Sequence, residues 1–323
     1  MTRVVVTAEL PAGGTDPLVE AGVDVVQLRE RSPAALVVAA AEADAVISQL
    51  TDRIDSTVLD AGRGRLRVVA NVAAGYDNID VAHATEVGTV VCNTPNVLDD
   101  TTAELAFALM LMARRRTTDA ESTLRRGRWT GWDINGFLGH DLLGATLGVV
   151  GWGQIGRALA RRANAFGMEV LHTARRPTGE PGNVASLEEL LARSDVVSLH
   201  VPLTPETRHL IGAPQLAAMR PTAVLVNTSR GPVVDEAALA AALHDGTIFG
   251  AGLDVYEDEP VVHPRLLDAP GAVLLPHIGS ATVETRTAMA RAASTAALDV
   301  LAGRPTPAAV NPHTSPSPKE TQG

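Results

Sequence analysis

The sequence predicts an α/β protein built from two doubly wound parallel-sheet domains. Three observations predict it. Short apolar runs alternate with helix-patterned segments in two successive series, separated by a long helical stretch. A glycine-rich segment, GWGQIG at 151–156, stands between an apolar run and an amphipathic stripe in the second series. At 323 residues, 46% of them hydrophobic, the chain can fill two cores of ordinary size.

The first series covers residues 1–95. Its candidate strands are Val4–Ala8, Val23–Leu28, Ala45–Gln49, Arg67–Val72 and Thr89–Asn93, with helical stretches between them such as Pro33–Ala43. An Ala-, Leu- and Met-rich run from Thr101 to about Arg126 reads as one long helix that Gly127 stops. The second series then offers strands Thr146–Val150, Glu169–Thr173, Val196–His200, Ala223–Asn227, Phe249–Asp254 and Val273–Leu275. Ile155, Ala158, Leu159, Ala163 and Phe166 mark a helix between the first two. Ser186 and Glu189 have capping-box spacing, and Asp235 can cap the helix holding Leu239 and Leu243. Residues 281–301 read as a last long helix that returns the chain to the first domain. The tail at 312–323 is Pro/Ser-rich and is expected to be disordered.

Composition excludes several function classes. A net charge of −10 repels phosphate backbones, so no nucleic acid is expected as partner. The cluster Arg114-Arg115-Arg116 is too short to reverse this and reads as a solvated or subunit-contacting helix face. Cys92 is the single cysteine, which excludes an intrachain disulfide and suits a reducing, cytoplasmic compartment; within TVVCNT it reads as core. The N-terminus lacks the shape of a signal peptide, and no run reaches the ~18 apolar residues of a membrane span. Lys319 is the only lysine, so Schiff-base chemistry is nearly excluded. The histidines show no metal-ligand spacing and no metal is expected; apart from His277 they read as structural or exposed, with His140 a weak exception.

Three segments stand in fixed order near the C-terminal end: VNTSRG at 226–231, DVYEDEP at 254–260 and LPHIGS at 275–280. They supply Arg230, Glu259 and His277. The arginine can orient a carboxylate and a neighbouring carbonyl through parallel donors. Such a donor contributes roughly 2.7–4 kcal/mol to a transition state that gathers charge on the carbonyl oxygen. His277 can donate a proton, and Glu259 accepting from its other ring nitrogen favours the imidazolium. The notable residues of the second series all follow strand ends: 151–156, 174–176, 201–202, 228–230, 254 and 277. In open parallel sheets ligands bind outside the carboxyl ends of strands.

The glycine segment suits a dinucleotide. Gly151 permits the tight turn, Gly153 lets a pyrophosphate approach, and Gly156 allows close helix–strand packing; Gln154 and Ile155 open the helix whose N-terminus favours the anion. An NAD site commonly has an acidic residue about 20 positions further on. Here TARRP at 173–177 offers Arg175 and Arg176 instead, which can hold a 2′-phosphate. NADPH is therefore the expected cofactor, with NADH possible.

NVAAGYDNID, NTPNVLDDTTAELAFALML, VVGWGQIG, VNTSRGPVVDE, GLDVYEDEP and LPHIGSAT, in this order, resemble the signatures of the D-isomer-specific 2-hydroxyacid dehydrogenase family across about 45–305. The resemblance implies a flavodoxin-like split substrate domain at 1–97 and 283–311 around an inserted Rossmann cofactor domain at 98–282, and a homodimer. It makes Arg230, Glu259 and His277 the catalytic set. It adds Asp254, Val201, Pro202, Thr228, His277 and Gly279 as cofactor contacts, and Leu50, Ala74 and Gly75 as substrate contacts beside Arg230 and His277. Within the family the chain is most similar to glyoxylate/hydroxypyruvate reductases: TARRP resembles their NADP-type loop, and RWTGWD at 128–133 their tryptophan segment, with Trp132 matching the residue that reaches a partner's pocket. The expected activity is reduction of small 2-oxo acids such as glyoxylate and hydroxypyruvate. A broad-range 2-oxo acid reductase, a phosphoglycerate dehydrogenase-like enzyme and a dinucleotide-sensing, corepressor-like binding protein stay open as alternatives. Phosphoglycerate dehydrogenases often carry a further regulatory domain, for which this chain is expected to have no room. Phosphite dehydrogenase uses a lysine that is missing here, and formate dehydrogenase has glutamine where Glu259 stands.

Overall fold

The computed structural model describes residues 1–311; the tail expected to be disordered lies outside them. The chain divides into two compact units. One holds Met1–Leu98 and the described residues from Ala281 onward, the other Asp99–Ser280.

The first unit contains β1 (Arg3–Val6), β2 (Asp24–Gln27), β3 (Ala45–Ser48), β4 (Val68–Asn71) and β5 (Val90–Cys92), all parallel in the order β2-β1-β3-β4-β5. Side chains alternate across this sheet, so each strand feeds two cores. Val5, Val46, Val69 and Val91 pack with the helices Pro33–Glu42 and Ser56–Ala61 on one face. Val4, Ile47, Val68 and Cys92 pack with Leu18 and the helix Val283–Leu301 on the other. Cys92 is fully buried, and that burial pushes its thiol up to about 12, so it is packing and not a nucleophile.

The second unit contains β6 (Thr146–Val150), β7 (Glu169–Thr173), β8 (Val196–Leu199), β9 (Val224–Asn227), β10 (Gly250–Leu253) and β11 (Ala272–Leu274). They are parallel in the order β11-β10-β9-β8-β6-β7. The direction of winding reverses between β6 and β8, with one strand beyond β6 instead of the two of the common dinucleotide fold. Leu147, Val149, Val224 and Val226 face the helices Asp99–Arg114 and Gln154–Ala165. Val150, Val197, Leu225 and Leu253 face the helices Leu187–Arg193 and Glu236–His244. Both caps form: Ser186 Oγ accepts from the Glu189 N–H at 3.2 Å, and Asp235 Oδ1 accepts from the Ala238 N–H at 2.9 Å. The Glu189 carboxylate reaches the Ala185 N–H, one residue before the cap.

Two expectations are corrected together. The run from Thr101 to Arg126 is two helices, Asp99–Arg114 and Thr117–Arg125, broken where Arg116 takes a φ of +49°. Arg114 is not on a solvated face: it is 4% exposed. Its guanidinium donates to the carbonyls of Thr222 at 3.0 Å, Asp141 at 2.8 Å and Asp195 at 3.4 Å, while its own carbonyl accepts from the His140 N–H at 2.9 Å. A passing segment thus takes the helix's terminal carbonyl, and the chain turns instead of continuing. Only Arg115 stays exposed, since Arg116 pairs with Asp119 at 2.9 Å.

Candidate functional site

Because all six strands of the second sheet run the same way, the segments that follow them emerge on one edge. Gly151 follows β6, Ala174 follows β7, His200 and Val201 follow β8, Thr228 follows β9, Asp254 follows β10 and His277 comes shortly after β11. The glycine segment opens at the crevice between β6 and β8, where the winding reverses.

Gly151 has a φ of +98°, and a Cβ there would lie 2.4 Å from the His200 carbonyl oxygen and 3.0 Å from Val201. A Cβ at Gly156 would meet the Gly151 carbonyl at 2.5 Å. These two glycines bring strand, loop and helix together. At Gly153, the N-cap of Gln154–Ala165, a Cβ would meet nothing within 4 Å. The first N–H groups of that twelve-residue helix therefore adjoin open space, as an anion requires. Thr228 adds a buried hydroxyl without a hydrogen-bond partner among the described residues. An open helix N-terminus and an unsatisfied hydroxyl on the next strand ends fit a dinucleotide.

The loop after β7 carries Arg175 and Arg176, both exposed and neither in an ion pair among the described residues. Its far end is braced by Glu180, whose carboxylate accepts from Trp152 Nε1 at 2.8 Å and from Arg157 at 2.5 and 2.6 Å. Trp152 in turn stacks on the buried His172, with ring centroids 3.8 Å apart. The donors from Arg157 and Trp152 hold the Glu180 carboxyl below its usual range. No sequence signal had singled out Trp152 or Glu180.

The Arg230–Glu259–His277 set rests on three connected turns. After β9 the buried Asn227 accepts from the Ser229 N–H at 3.0 Å and donates to the Arg230 carbonyl at 2.9 Å, closing the turn that presents Arg230. An Asn directly after an apolar strand is the available signal for such a side-chain turn. After β10, Asp254 is 1% exposed and uses three oxygens on the β11 turn. Its carbonyl accepts from the His277 N–H at 2.9 Å, and its carboxylate accepts from the N–H groups of Ile278 and Gly279 at 2.7 Å each. Burial raises the Asp254 carboxyl, opposed by those donors and the His277 charge. This latch holds His277 at a φ of +54°, uncommon outside glycine.

The imidazole Nδ1 of His277 lies 2.8 Å from Glu259 Oε2, and Glu259 Oε1 accepts from the Tyr256 N–H at 3.0 Å. Burial disfavours the charged carboxylate, but the hydrogen bond and charge of His277, the Tyr256 N–H and the Arg230 charge hold Glu259 below its usual range. With Nδ1 engaged, Nε2 is the ring nitrogen left for a reacting group. A donor-rich arginine and an acid–base pair beside a dinucleotide cradle can orient a carboxylate and protonate a carbonyl oxygen.

The remaining candidates are placed as follows. Pro202 accepts from the Thr207 hydroxyl through its carbonyl at 2.7 Å. In the first unit Leu50 follows β3, half-buried, while Ala74 and Gly75 follow β4. The Ala74 and Gly75 carbonyls accept from Asn93 and Asn71 at 2.7 and 3.0 Å, and neither N–H has a hydrogen bond among the described residues. Trp132 is 80% exposed in an irregular segment that also exposes Trp129, Ile134 and Leu138. His140 packs edge-on against Phe249, 4.6 Å between centroids. Among the described residues no group of three or more His, Cys, Asp or Glu could hold a metal, and no helix is long and apolar enough to cross a membrane.

Residues 107–279 match the profile of the D-isomer specific 2-hydroxyacid dehydrogenase NAD-binding domain. A glyoxylate reductase from Thermococcus litoralis is 48% identical over 258 residues, covering 77% of this chain and 78% of that protein. A Thermus thermophilus protein of known structure superposes with a TM-score of 0.90 at 45% identity, covering 96% of this chain and all of that one. An NADPH-dependent glyoxylate/hydroxypyruvate reductase from Sinorhizobium meliloti, solved in complex with NADP and malonate, superposes with a TM-score of 0.87 at 34% identity, covering 96% and 98%.

Proposed function

Because the chain belongs to the D-isomer specific 2-hydroxyacid dehydrogenase family, we propose that it reduces glyoxylate and hydroxypyruvate to 2-hydroxy acids with NADPH. The family makes it an NAD(P)-dependent oxidoreductase of small 2-oxo acids; the substrates, the preferred dinucleotide and the residue roles are our reading. The observation that carries this reading is the 2.8 Å Glu259–His277 pair on the sheet edge that also holds Arg230 and the glycine cradle.

In this reading the dinucleotide, when bound, supplies the hydride. Gly151, Gly153, Gln154, Ile155 and Gly156 hold its pyrophosphate; Val201, Pro202, Thr228, Asp254 and Gly279 line the rest. Arg230 grips the substrate carboxylate and carbonyl, and its charge offsets the negative charge that grows on the carbonyl oxygen. His277 donates a proton to that oxygen from Nε2. Glu259 at Nδ1 orients the ring and favours its charged form. Leu50, Ala74 and Gly75 belong to the proposal as substrate contacts. Trp132 belongs to it as a residue offered to a second copy in a homodimer, supported by its 80% exposure.

The preference for NADPH is supported by the two exposed arginines, in no ion pair among the described residues, where an NAD site would place a carboxylate. A panel of glyoxylate, hydroxypyruvate, pyruvate and bulkier 2-oxo acids with both dinucleotides, read as loss of reduced-nicotinamide absorbance, tests the proposal. It expects the highest kcat/KM for glyoxylate or hydroxypyruvate with NADPH. Tight dinucleotide binding without turnover of any of these acids would favour the sensing role instead.

A further inference from the structure

A second carboxylate pair lies behind Glu259. Glu236 opens the helix Glu236–His244 and is 6% exposed. Its Oε1 accepts from the Glu257 N–H, and its Oε2 accepts from the His263 N–H at 3.1 Å. Glu257 returns the bond, its Oε1 accepting from the Glu236 N–H at 2.8 Å while its Oε2 lies 2.8 Å from His209 Nε2. One buried side chain therefore fastens both ends of the segment 257–263. Glu259 stands inside that segment, where Val261 N–H donates to the Asp258 carbonyl at 2.9 Å and closes a tight turn.

The near side of the segment is fixed from the Arg230 turn. A Cβ at Gly231 would lie 1.8 Å from the Tyr256 carbonyl carbon, so the two backbones touch directly. Tyr256 donates its N–H to Glu259 and its hydroxyl to the Leu275 carbonyl at 2.9 Å, two residues before His277. Glu259 thus stands between two anchors, the Gly231–Tyr256 contact on one side and Glu236 on the other. The charged and titratable groups around this assembly are Asp254, Tyr256, Glu257, Arg230, His209 and His263.

We propose that Glu236 is a positioning residue: by clamping the Glu257 and His263 N–H groups it sets the contact between Glu259 and His277, and through it the pH range of catalysis. This rests on the reading of His277 as the proton donor. A glutamine at 236 keeps one acceptor oxygen and turns an N–H group toward a former partner, so one end of the segment is released.

The test is a double-mutant cycle on the full-length enzyme, reducing glyoxylate with NADPH across pH. Glu236→Gln is expected to move the alkaline limb of kcat down by about half a pH unit or more, with KM for NADPH within about twofold of the parent. NMR titration of the His277 ring protons should move the same way without turnover. Made on top of Glu259→Gln, Glu236→Gln should shift neither readout further, because it acts through Glu259. Leu243→Ala, which takes core packing from the same helix without touching the carboxylate, should lower Tm and leave the limb in place. If Glu236→Gln does not fold, Glu236→Asp serves, being too short to reach both N–H groups. Equal limbs for parent and Glu236→Gln, or equal shifts in both backgrounds, overturn the proposal. A Glu259→Gln enzyme whose limb also stays put overturns the His277 reading beneath it.

Discussion

Glu259 Oε2 lies 2.8 Å from His277 Nδ1, with both side chains about one-third exposed, 33% and 31%. The hydrogen bond and charge of His277 hold the Glu259 carboxyl below its usual range, against its burial. In the proposed reaction reduction needs the imidazolium, and rising pH removes its proton. Removing the carboxylate lets that proton leave at lower pH. Glu259→Gln is therefore expected to shift the alkaline limb of glyoxylate reduction down by about 1 pH unit or more. A pH–kcat profile checks it, and an unchanged limb would separate the two residues functionally. Because folding lowers the Glu259 carboxyl, the pair's contribution to stability is present above the ordinary glutamate value and is lost as pH falls through the lowered one.

Arg230 is presented by the Asn227 turn, on the strand end after β9, while the glycine segment follows β6 and Arg175 and Arg176 follow β7. Arg230→Ala should thus cut kcat/KM by on the order of 100- to 1000-fold while the Kd for NADPH changes less than about threefold. Arg230→Lys should recover little, since an ammonium lacks the parallel donors. Loss of NADPH affinity matching the loss of activity, measured by calorimetry, would make Arg230 structural.

Most of this architecture was legible in the sequence because its signals are local. All eleven strands fall within two residues of the apolar runs that announced them, and the carboxyl-end placement of the site follows once the strands are parallel. What was not legible depends on contacts far along the chain. Arg114 looked solvated beside Arg115 and Arg116, and only carbonyls at 141, 195 and 222 turn it inward. No local signal singles out Glu236; its partners at 257 and 263 are set by the packing of a loop on a helix end. The bonds from the Asp254 carboxylate to the 278–279 turn likewise join residues some 25 positions apart.

Arg114 itself gives a stability prediction. It is buried without a carboxylate partner within ion-pair distance among the described residues, and burial lowers its pKa. It compensates by donating to three carbonyls and so joins the strand-side loops to the helix Asp99–Arg114. Arg114→Met leaves those carbonyls short of a donor, at about 1–3 kcal/mol for each one left unsatisfied. Urea unfolding should show a loss of roughly 3 kcal/mol or more, whereas Arg115→Met at the exposed neighbour should change stability by less than about 0.5 kcal/mol. Equal effects at both positions would return Arg114 to the surface.

The loop after β7 carries the proposed preference between the two dinucleotides. Arg175 and Arg176 stand exposed where an acidic residue would take a ribose hydroxyl, and Glu180 braces the loop's far end to Trp152 and Arg157. A charge-assisted hydrogen bond to a phosphate contributes about 1.5–3 kcal/mol, or roughly 10- to 150-fold in affinity. Arg175→Ser and Arg176→Ser should each raise the Kd for NADPH by about 10-fold or more and leave that for NADH within about twofold. The effect should weaken as salt screens the charges, since both side chains are exposed. Fluorescence titration of Trp152 with each dinucleotide, at low and high salt, gives the comparison. A wild-type enzyme that binds NADH more tightly, or variants that lose both dinucleotides equally, would remove the 2′-phosphate from the reading and leave the two arginines as solvated loop residues.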